Sequence, residues 1–251
     1  FFEISSRLAE VEDADRQKSD FIAQMSHDIR SPLNNIRSIL SLLRLDRSGP
    51  DIDEMVDVAL TNCDSLTELV ESILDYSRHK AGKLSSSPRL FDLGACAQSV
   101  VAGFTVSARL KGLELSFHNH FDTCPVFADS RHVKRVITNL VSNAVKYTRS
   151  GGVSVSLRRL GSGRWGVSVK DSGCGLSAEQ QKILFTPFTT FKSATGDKSQ
   201  AGGIGLGLAL SRILAELNGG RIQVRSEPGE GAEFELSVPG AGASNESLEL
   251  F

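Results

Sequence analysis

Ser26-His27-Asp28-Ile29-Arg30-Ser31-Pro32-Leu33 places an imidazole beside a carboxylate on a stretch with helical apolar spacing. Met25 and Ile29 belong to the apolar face, and at about 100° per residue His27 stands about 200° from each, toward solvent. Imidazole is mostly neutral at pH 7 and nucleophilic, so an exposed ring can accept a phosphoryl group. Asp28 is placed to orient that ring or take up its proton. Pro32 lacks the N–H that would bond to the carbonyl of Asp28, which predicts a bend beside the ring. Taken alone, a histidine on the outside of a helix is more often simply solvated.

Asn139 and Asn143 stand four apart on a second periodic stretch, so both amides project from one side. Their oxygens can hold Mg²⁺ and their N–H groups can meet phosphate. Lys146 brings positive charge one turn later, and Tyr147 offers a ring for stacking. A polar helix surface is the plain alternative. Asp171-Ser172-Gly173-Cys174-Gly175 ends an alternating stretch; its Asp can accept a hydrogen bond from an amino group such as adenine N6, although Asp-Ser-Gly is also ordinary turn chemistry. Gly202-Gly203-Ile204-Gly205-Leu206-Gly207-Leu208 runs into a helical pattern, where exposed backbone N–H groups and the helix N-terminus favour phosphate oxygens. It lacks the preceding strand of a Rossmann turn and the GK[ST] of a P-loop.

The elements that position these residues follow from periodicity. Ile4, Leu8, Val11, Ile22, Met25, Ile29, Ile36, Leu40 and Leu43 mark one long amphipathic helix, and Ile52, Met55, Ala59, Cys63, Leu66, Val70, Ile73 and Leu74 a second. Ser48-Gly49-Pro50 separates them, which gives an antiparallel helical hairpin. One hairpin cannot bury both stripes, so pairing with a second copy into a dimeric four-helix bundle is expected, and hence a homodimer. Ser85-Ser86-Ser87-Pro88 reads as a linker. Beyond it strands are expected near Leu90 to Leu93, 113–118, 126–128, 153–157, 165–169, 222–226 and 232–238. Helices are expected over about 94–111, 130–147, 177–185 and 206–218. The domains are therefore 1–84, a linker at 85–88, and 89–240, with a flexible tail over 241–251; the class is α+β, a helical hairpin followed by an α/β sandwich.

Composition narrows the function classes. With 251 residues, 40% hydrophobic and 23% charged, the chain has the usage of an ordinary globular protein of two domains. Its 28 basic and 30 acidic residues leave a net charge of -2, spread along the chain, so no nucleic acid partner is expected. Cys63, Cys96, Cys124 and Cys174 form no paired spacing, which argues against a zinc site and reads as reduced cytosolic thiols. No apolar stretch reaching the length of a membrane span stands out. The chain begins Phe1-Phe2-Glu3, so a soluble cytoplasmic fragment is expected, with a sensor domain, membrane-linked in some arrangements, upstream.

Read together and in order, these segments resemble the sensor histidine kinases. The H-box lies at His27, the N-box at Asn139 to Thr148, the G1 box at Asp171 to Gly175, an F-box in Leu184-Phe185-Thr186-Pro187-Phe188, and the G2 box at Gly203 to Gly207. The resemblance covers about Ser19 to Pro239. It implies a dimerisation and phosphotransfer hairpin followed by an ATP-binding sandwich of the Bergerat type, with ATP and Mg²⁺ as cofactors and a response regulator receiver domain as partner. His27 is then the phosphoacceptor, Asp28 its acidic helper and Asn143 the Mg²⁺ ligand. Asn139, Lys146 and Tyr147 are nucleotide contacts, and Asp171 holds adenine. Gly173, Gly175, Gly203, Gly205, Leu206 and Gly207 line the nucleotide. Residues 189–201 become a mobile ATP lid anchored by Phe185 and Phe188.

Gyrase-like relatives carry a Glu where this chain has Asn139, and an amide cannot act as that base, which favours transfer to protein over hydrolysis. Two departures stand out: Ala232 occupies the place of a Thr in the last glycine box, and Ser31 stands where family members with phosphatase activity carry Thr or Asn. A nucleotide-gated scaffold without chemistry and a hydrolase of the same superfamily are the rival readings.

Overall fold

Leucine, isoleucine and methionine recur at steps of three and four through the first part of the chain, a spacing that lays an apolar stripe along one side of a helix. In the computed structural model, residues 25–26, 29–44, 52–161, 163–191 and 205–242 are described. They fall into two compact units, Phe1–Ala81 with Phe188–Leu206, and Gly82–Pro187 with Gly207–Phe251. His27, Asp28 and Gly203, the 48–50 turn, most of the 189–201 stretch and residues 243–251 lie outside the described residues. So does the bend expected at Asp28.

The first unit holds helix α1 (29–44) and helix α2 (Ile52–Lys80). Asp53 and Glu54 in the first turn of α2, and Arg78, His79 and Lys80 in its last, complement the helix dipole. Along α1, Ile29, Pro32, Ile36, Ile39 and Leu43 are half-buried; along α2, so are Met55, Ala59, Asn62, Leu66, Leu69 and Tyr76. The Asn35 amide donates to the Asn62 Oδ1 at 3.4 Å across the hairpin. Leu40, Val70 and Leu74, expected on the inner face, are exposed, and so is Cys63. The sequence stripe is wider than the seam that one partner helix covers, so Ile39, Asn62 and Leu69 are half-buried while a second row faces outward. No residue of α2 is buried. Phe188, the one non-glycine residue described with positive φ (67°), meets the Tyr76 ring edge-on at 5.5 Å in this unit.

The second unit has the order β1 (Arg89–Asp92), α3 (Leu93–Leu110), β2 (Glu114–His118), β3 (Pro125–Ala128), α4 (Ser130–Tyr147), β4 (Gly152–Leu160), β5 (Arg164–Asp171), α5 (Ala178–Ile183), α6 (Gly207–Leu217), β6 (Arg221–Glu227) and β7 (Gly231–Pro239). A five-stranded sheet in the order β2-β4-β5-β7-β6 is antiparallel except at β2–β4, and β1 pairs with β3 beside it. Val153, Val155 and Leu157 alternate with polar residues along β4 and are buried, and α3, α4 and α6 pack on the sheet. The opposite face is polar, with Arg158 bridging to Glu233 at 2.9 Å. This is the α/β sandwich expected, with element ends within a few residues of those read from periodicity.

Helix α3 corrects one expectation. At 18 residues it is long and apolar enough, by length and composition alone, to cross a membrane. Its composition has another cause: Leu93, Ala97, Val100, Val101 and Ala108 are buried, and Asp92 caps its N-terminus by accepting from the Ala95 N–H. The stretch expected to be a plain linker is also tied down. Ser86 Oγ donates to Asn218 Oδ1 at 3.0 Å, and the Ser87 N–H donates to Asp129 Oδ2 at 3.0 Å. Burial alone would raise the Asp129 carboxyl, but hydrogen bonds from Arg131 and the Ser87 N–H outweigh it and hold Asp129 well below the usual carboxylate range.

Candidate nucleotide site

Helix α4 is amphipathic because Val133, Val136, Ile137, Leu140, Val141, Ala144 and Val145 fall on one face and are buried. Asn139 and Asn143 sit at its flank, half-buried, where their polar ends escape the core. Asn143 Nδ2 donates to Asn139 Oδ1 at 3.5 Å, and Asn139 Nδ2 donates to Ser211 Oγ on α6 at 2.9 Å. Gly207 opens α6 directly beside them: a Cβ there would stand 2.6 Å from Asn139 Oδ1, so only glycine lets the helix start so close.

At the C-terminal end of α4, Lys111 Nζ donates to the carbonyls of Val145 and Lys146 at 3.0 and 3.2 Å, satisfying two end groups the helix leaves open. The Lys146 ammonium lies 5.3 Å from the centroid of the Tyr147 ring. Burial pushes the Tyr147 hydroxyl up, with the Cys174 thiol nearby adding to it.

Asp171 ends β5 and is 8% exposed. Its Oδ1 accepts from the Gly173 N–H at 2.8 Å and the Ala232 N–H at 3.3 Å, which leaves Oδ2 for a further donor. Burial raises its carboxyl above the ordinary Asp value, against those two hydrogen bonds. A Cβ on Gly173 would stand 2.8 Å from Asp171 Oδ1 and 3.0 Å from the Tyr147 carbonyl, and Gly175 holds a positive φ of 66°. Ser172 knots this turn to the start of β4, its hydroxyl donating to the Ser150 carbonyl at 2.9 Å and accepting from the Gly152 N–H at 3.0 Å.

The unit thus gathers Asn139, Asn143, Lys146, Tyr147, Asp171, Gly173, Gly175 and Gly207 from three distant parts of the sequence. Gly205 and Leu206 belong to the other unit, where the Phe188 N–H donates to the Gly205 carbonyl at 3.0 Å and Leu206 is buried. Ser31 is exposed on α1. Phe185 lies beside Arg212, whose guanidinium is 5.8 Å from its ring centroid. Sequence reasoning missed Ser211, Ser172 and Lys111. Only Ser211 carried a signal, a polar residue one turn after Gly207 on an apolar helix face.

The residues present fit a magnesium nucleotide. Among the described residues no group of three or more His, Cys, Asp or Glu side chains could hold a metal, so a cation here would rely on an amide oxygen together with phosphate oxygens. A buried carboxylate with one free oxygen suits an exocyclic amine, and the close glycines leave backbone room for a ligand.

Residues 17–82 match the His Kinase A (phospho-acceptor) domain, and residues 128–242 match the family described as histidine kinase-, DNA gyrase B-, and HSP90-like ATPase. The chain is 36% identical over 249 residues to the sensor histidine kinase GacS of Pseudomonas protegens, an alignment that takes in 94% of this chain and 26% of GacS. The chain therefore spans about a quarter of that relative's length. Full-length ShkA, solved in complex with AMPPNP, superposes with a TM-score of 0.65 at 27% identity, over 88% of this chain and 46% of that one. The histidine kinase ThkA, solved in complex with the response regulator protein TrrA, shares the fold at 21% identity and a TM-score of 0.62, over 90% of this chain and 62% of its own. With a phospho-acceptor domain followed by an ATPase domain, and a sandwich that gathers carboxylate, amides and close glycines on α4, β5 and α6, this chain belongs to the sensor histidine kinases and forms their catalytic core.

Proposed function

We propose that this core binds Mg·ATP in residues 89–240, transfers the γ-phosphoryl group to His27 in the hairpin of residues 1–84, and then passes it to an aspartate of a response regulator receiver domain. The observation that carries the reading is the pairing of a phospho-acceptor domain with a site whose open groups are Asp171 Oδ2, Asn143 Oδ1 and the N-terminus of α6.

Asp171 Oδ2 accepts from the exocyclic amine of adenine, and its buried setting strengthens that bond over one made in water. Tyr147, 44% exposed, offers its ring beside the base, and Lys146 places positive charge at the same end of α4. Gly173, Gly175 and Gly207 leave backbone room about the nucleotide, with the α6 N-terminus toward phosphate. Magnesium, when bound, neutralises charge on the phosphate oxygens, and Asn143 Oδ1 is the protein atom that would hold it.

In the first step a ring nitrogen of His27 attacks the γ-phosphorus, an N–P bond forms, and the P–O bond to ADP breaks with its electron pair. Asp28 orients the imidazole and takes up its ring proton. In the second step an aspartate oxygen of the regulator attacks the same phosphorus and the histidine nitrogen leaves. Positioning and charge supply most of the acceleration, since phosphoryl transfer asks little covalent help of a protein. Asn139 supports transfer over hydrolysis: its amide is committed to Ser211 and Asn143 and has no basic atom with which to activate water. Ser31 is exposed and could align water for removing phosphate from the regulator. Ala232 supplies its N–H to Asp171 but no hydroxyl toward the base, which weakens nucleotide affinity by about 1 kcal/mol if one hydrogen bond is lost.

The exposed row Leu33, Leu40, Val70 and Leu74 supports a homodimer, in which a second hairpin covers what the first leaves open. Incubation with γ-labelled ATP tests the whole reading. An acid-labile, base-stable label on the wild type and none on His27→Gln is expected; free phosphate without labelled protein would mean a hydrolase, and bound nucleotide without either product a scaffold.

A further inference from the structure

The chain passes from the hairpin to the sandwich between α2 and β1, and two buried polar side chains of the sandwich hold part of that passage. Asn218 is 7% exposed and Asp129 1%. Backbone groups of fixed polarity set the Asn218 amide in one orientation: its Oδ1 accepts from the Asp129 N–H at 2.6 Å, and its Nδ2 donates to the Leu214 carbonyl at 2.7 Å. That Oδ1 also faces Ser86, whose hydroxyl donates to it at 3.0 Å. Asp129 Oδ2 accepts from the Ser87 N–H at 3.0 Å and from the Arg131 guanidinium at 2.9 Å. Asp129 is the N-cap of α4 and Asn218 directly follows α6, so both acceptors stand on fixed parts of the sandwich.

The chain is thus fastened from Ser86 onward, ahead of β1. On the other side α2 ends at Lys80, and the Ala81 N–H still donates to the Ser77 carbonyl at 3.0 Å. Between these anchors Gly82 has a positive φ of 65° with open space where a Cβ would stand, and among the described residues no hydrogen bond holds residues 82–85. The free tether is therefore residues 82–85 when Ser86 and Ser87 are held, and residues 82–88 when they are not.

We propose that Asn218 and Asp129 form a dock for Ser86 and Ser87 that sets the length of the tether on which bound nucleotide reaches His27. At the reach of extended chain, docking holds the tether to about 14 Å against about 24 Å undocked. The effective concentration of one tethered group at the other falls roughly as the −3/2 power of tether length, a factor of about 2 between these two lengths. Asn143 lies about 21 Å further along α4 than Asp129 at the helical rise per residue, so the dock acts on transfer and leaves nucleotide binding alone.

The inference rests on the reading of His27 as the acceptor, and the test separates the two. Ser86→Ala combined with Ser87→Pro removes both donors of the tether, while Asn218 Oδ1 keeps the Asp129 N–H and Asp129 keeps Arg131. In the whole chain this variant is expected to label His27 about 2-fold more slowly at saturating Mg·ATP, with the KM for ATP and the affinity for AMPPNP unchanged. Hydrogen exchange of the amides over 82–88 is expected to quicken. Three glycines inserted between Lys83 and Leu84 lengthen the tether with the dock intact and should slow labelling by the same factor; the two changes together should slow it about 4-fold. Ser86→Thr, which keeps the hydroxyl, should label at the wild-type rate. Exchange that does not quicken would mean that Ser86 and Ser87 hold nothing. A labelling rate that stays level or rises, an insertion without effect, or a fall matched by lost AMPPNP affinity would mean that the dock does not act through tether length; each of these outcomes overturns the inference. If the wild type takes no label on His27, the reading of the acceptor itself fails, and the inference with it.

Discussion

Two amphipathic helices of this chain meet different fates. α4, 18 residues long, buries seven side chains, whereas α2, 29 residues long, buries none. The difference lies in what each meets. α4 packs on α3, α6 and three strands of the sheet, so its apolar face is closed from several directions. α2 has one helix opposite, and a single seam shields only part of a stripe that is wider than two positions per heptad. Apolar patterning therefore states how much surface needs covering, not whether one chain can cover it. The sandwich is complete by itself; the hairpin is half of a core.

That contrast predicts the largest effect. Leu140 is 1% exposed and Leu40 is 57% exposed, both on helices with similar spacing. Leu140→Ala removes buried methyl groups and leaves a cavity, and should lower unfolding stability by about 2–5 kcal/mol. Leu40→Ala should leave the unfolding of the sandwich unchanged and instead weaken self-association. Thermal unfolding with sedimentation at several protein concentrations reads both; equal losses in the two variants would break the distinction between a closed core and a half core.

A second pair of expectations concerns chemistry rather than packing. Asp171→Asn replaces an acceptor with an amide that can turn its N–H groups toward the base, and should weaken AMPPNP binding by about 1.5–3 kcal/mol, the range for hydrogen bonds to charged groups. His27→Gln, on the hairpin side, should leave that affinity unchanged. Because burial raises the Asp171 carboxyl, binding should begin to fall on acidification at a pH above the ordinary Asp range, and the Asn variant should lose that dependence. A wild-type affinity flat down to pH 4 would count against Asp171 as the acceptor.

How much of this was legible in the sequence follows the range of the interactions involved. Period two along 153–157 and period 3.6 along 130–147 are local, and the elements they define appear where expected. Asp171, Asn139 and Asn143 were legible because their neighbours form short motifs. What escaped is long-range. Ser86 meets Asn218 across 132 positions, Asp129 meets Asn218 across 89, and Asn139 meets Ser211 across 72. No local window contains both members of such a pair. The choice of Ile39 over Leu40 at the hairpin seam escaped for a related reason: which apolar residue takes the contact depends on the partner helix, not on the stripe.

Asp129 extends the comparison to a second carboxylate, whose shift has the opposite sign. Asp171 is raised by burial, while Asp129 is lowered because its hydrogen bonds outweigh burial. A carboxyl lowered in the fold stabilises above its unfolded pKa, and that contribution is lost as pH falls below the ordinary carboxylate range. Asp129→Asn should therefore reduce stability by about 1–2 kcal/mol at neutral pH and flatten the acid limb of the unfolding curve. Urea unfolding at pH 7 and pH 3 reads it: a variant that stays below wild type by the same amount at both pH values would assign the loss to packing rather than to charge.

The smallest effect is expected on the exposed face of α6. Arg212 follows Ser211 in α6 but faces outward, pairing with Glu216 at 2.9 Å one turn later, with the two side chains 57% and 55% exposed. An exposed pair of this spacing contributes about 0.3–0.5 kcal/mol, and salt screens it. The Phe185 ring near its guanidinium adds at an exposed site about 0.5–1 kcal/mol. Arg212→Ala should thus lower stability by at most about 1.5 kcal/mol, less in high salt, and leave AMPPNP binding at its wild-type value. Ser211→Ala removes a buried hydroxyl that accepts from Asn139 Nδ2, and its cost should not vary with salt. Adjacent positions would then report on different things, one on solvent and one on the buried contact between α4 and α6, because the helix turns about 100° between them. A salt dependence of equal size in both variants would mean that α6 responds as a whole and that Ser211 has no particular hold on Asn139.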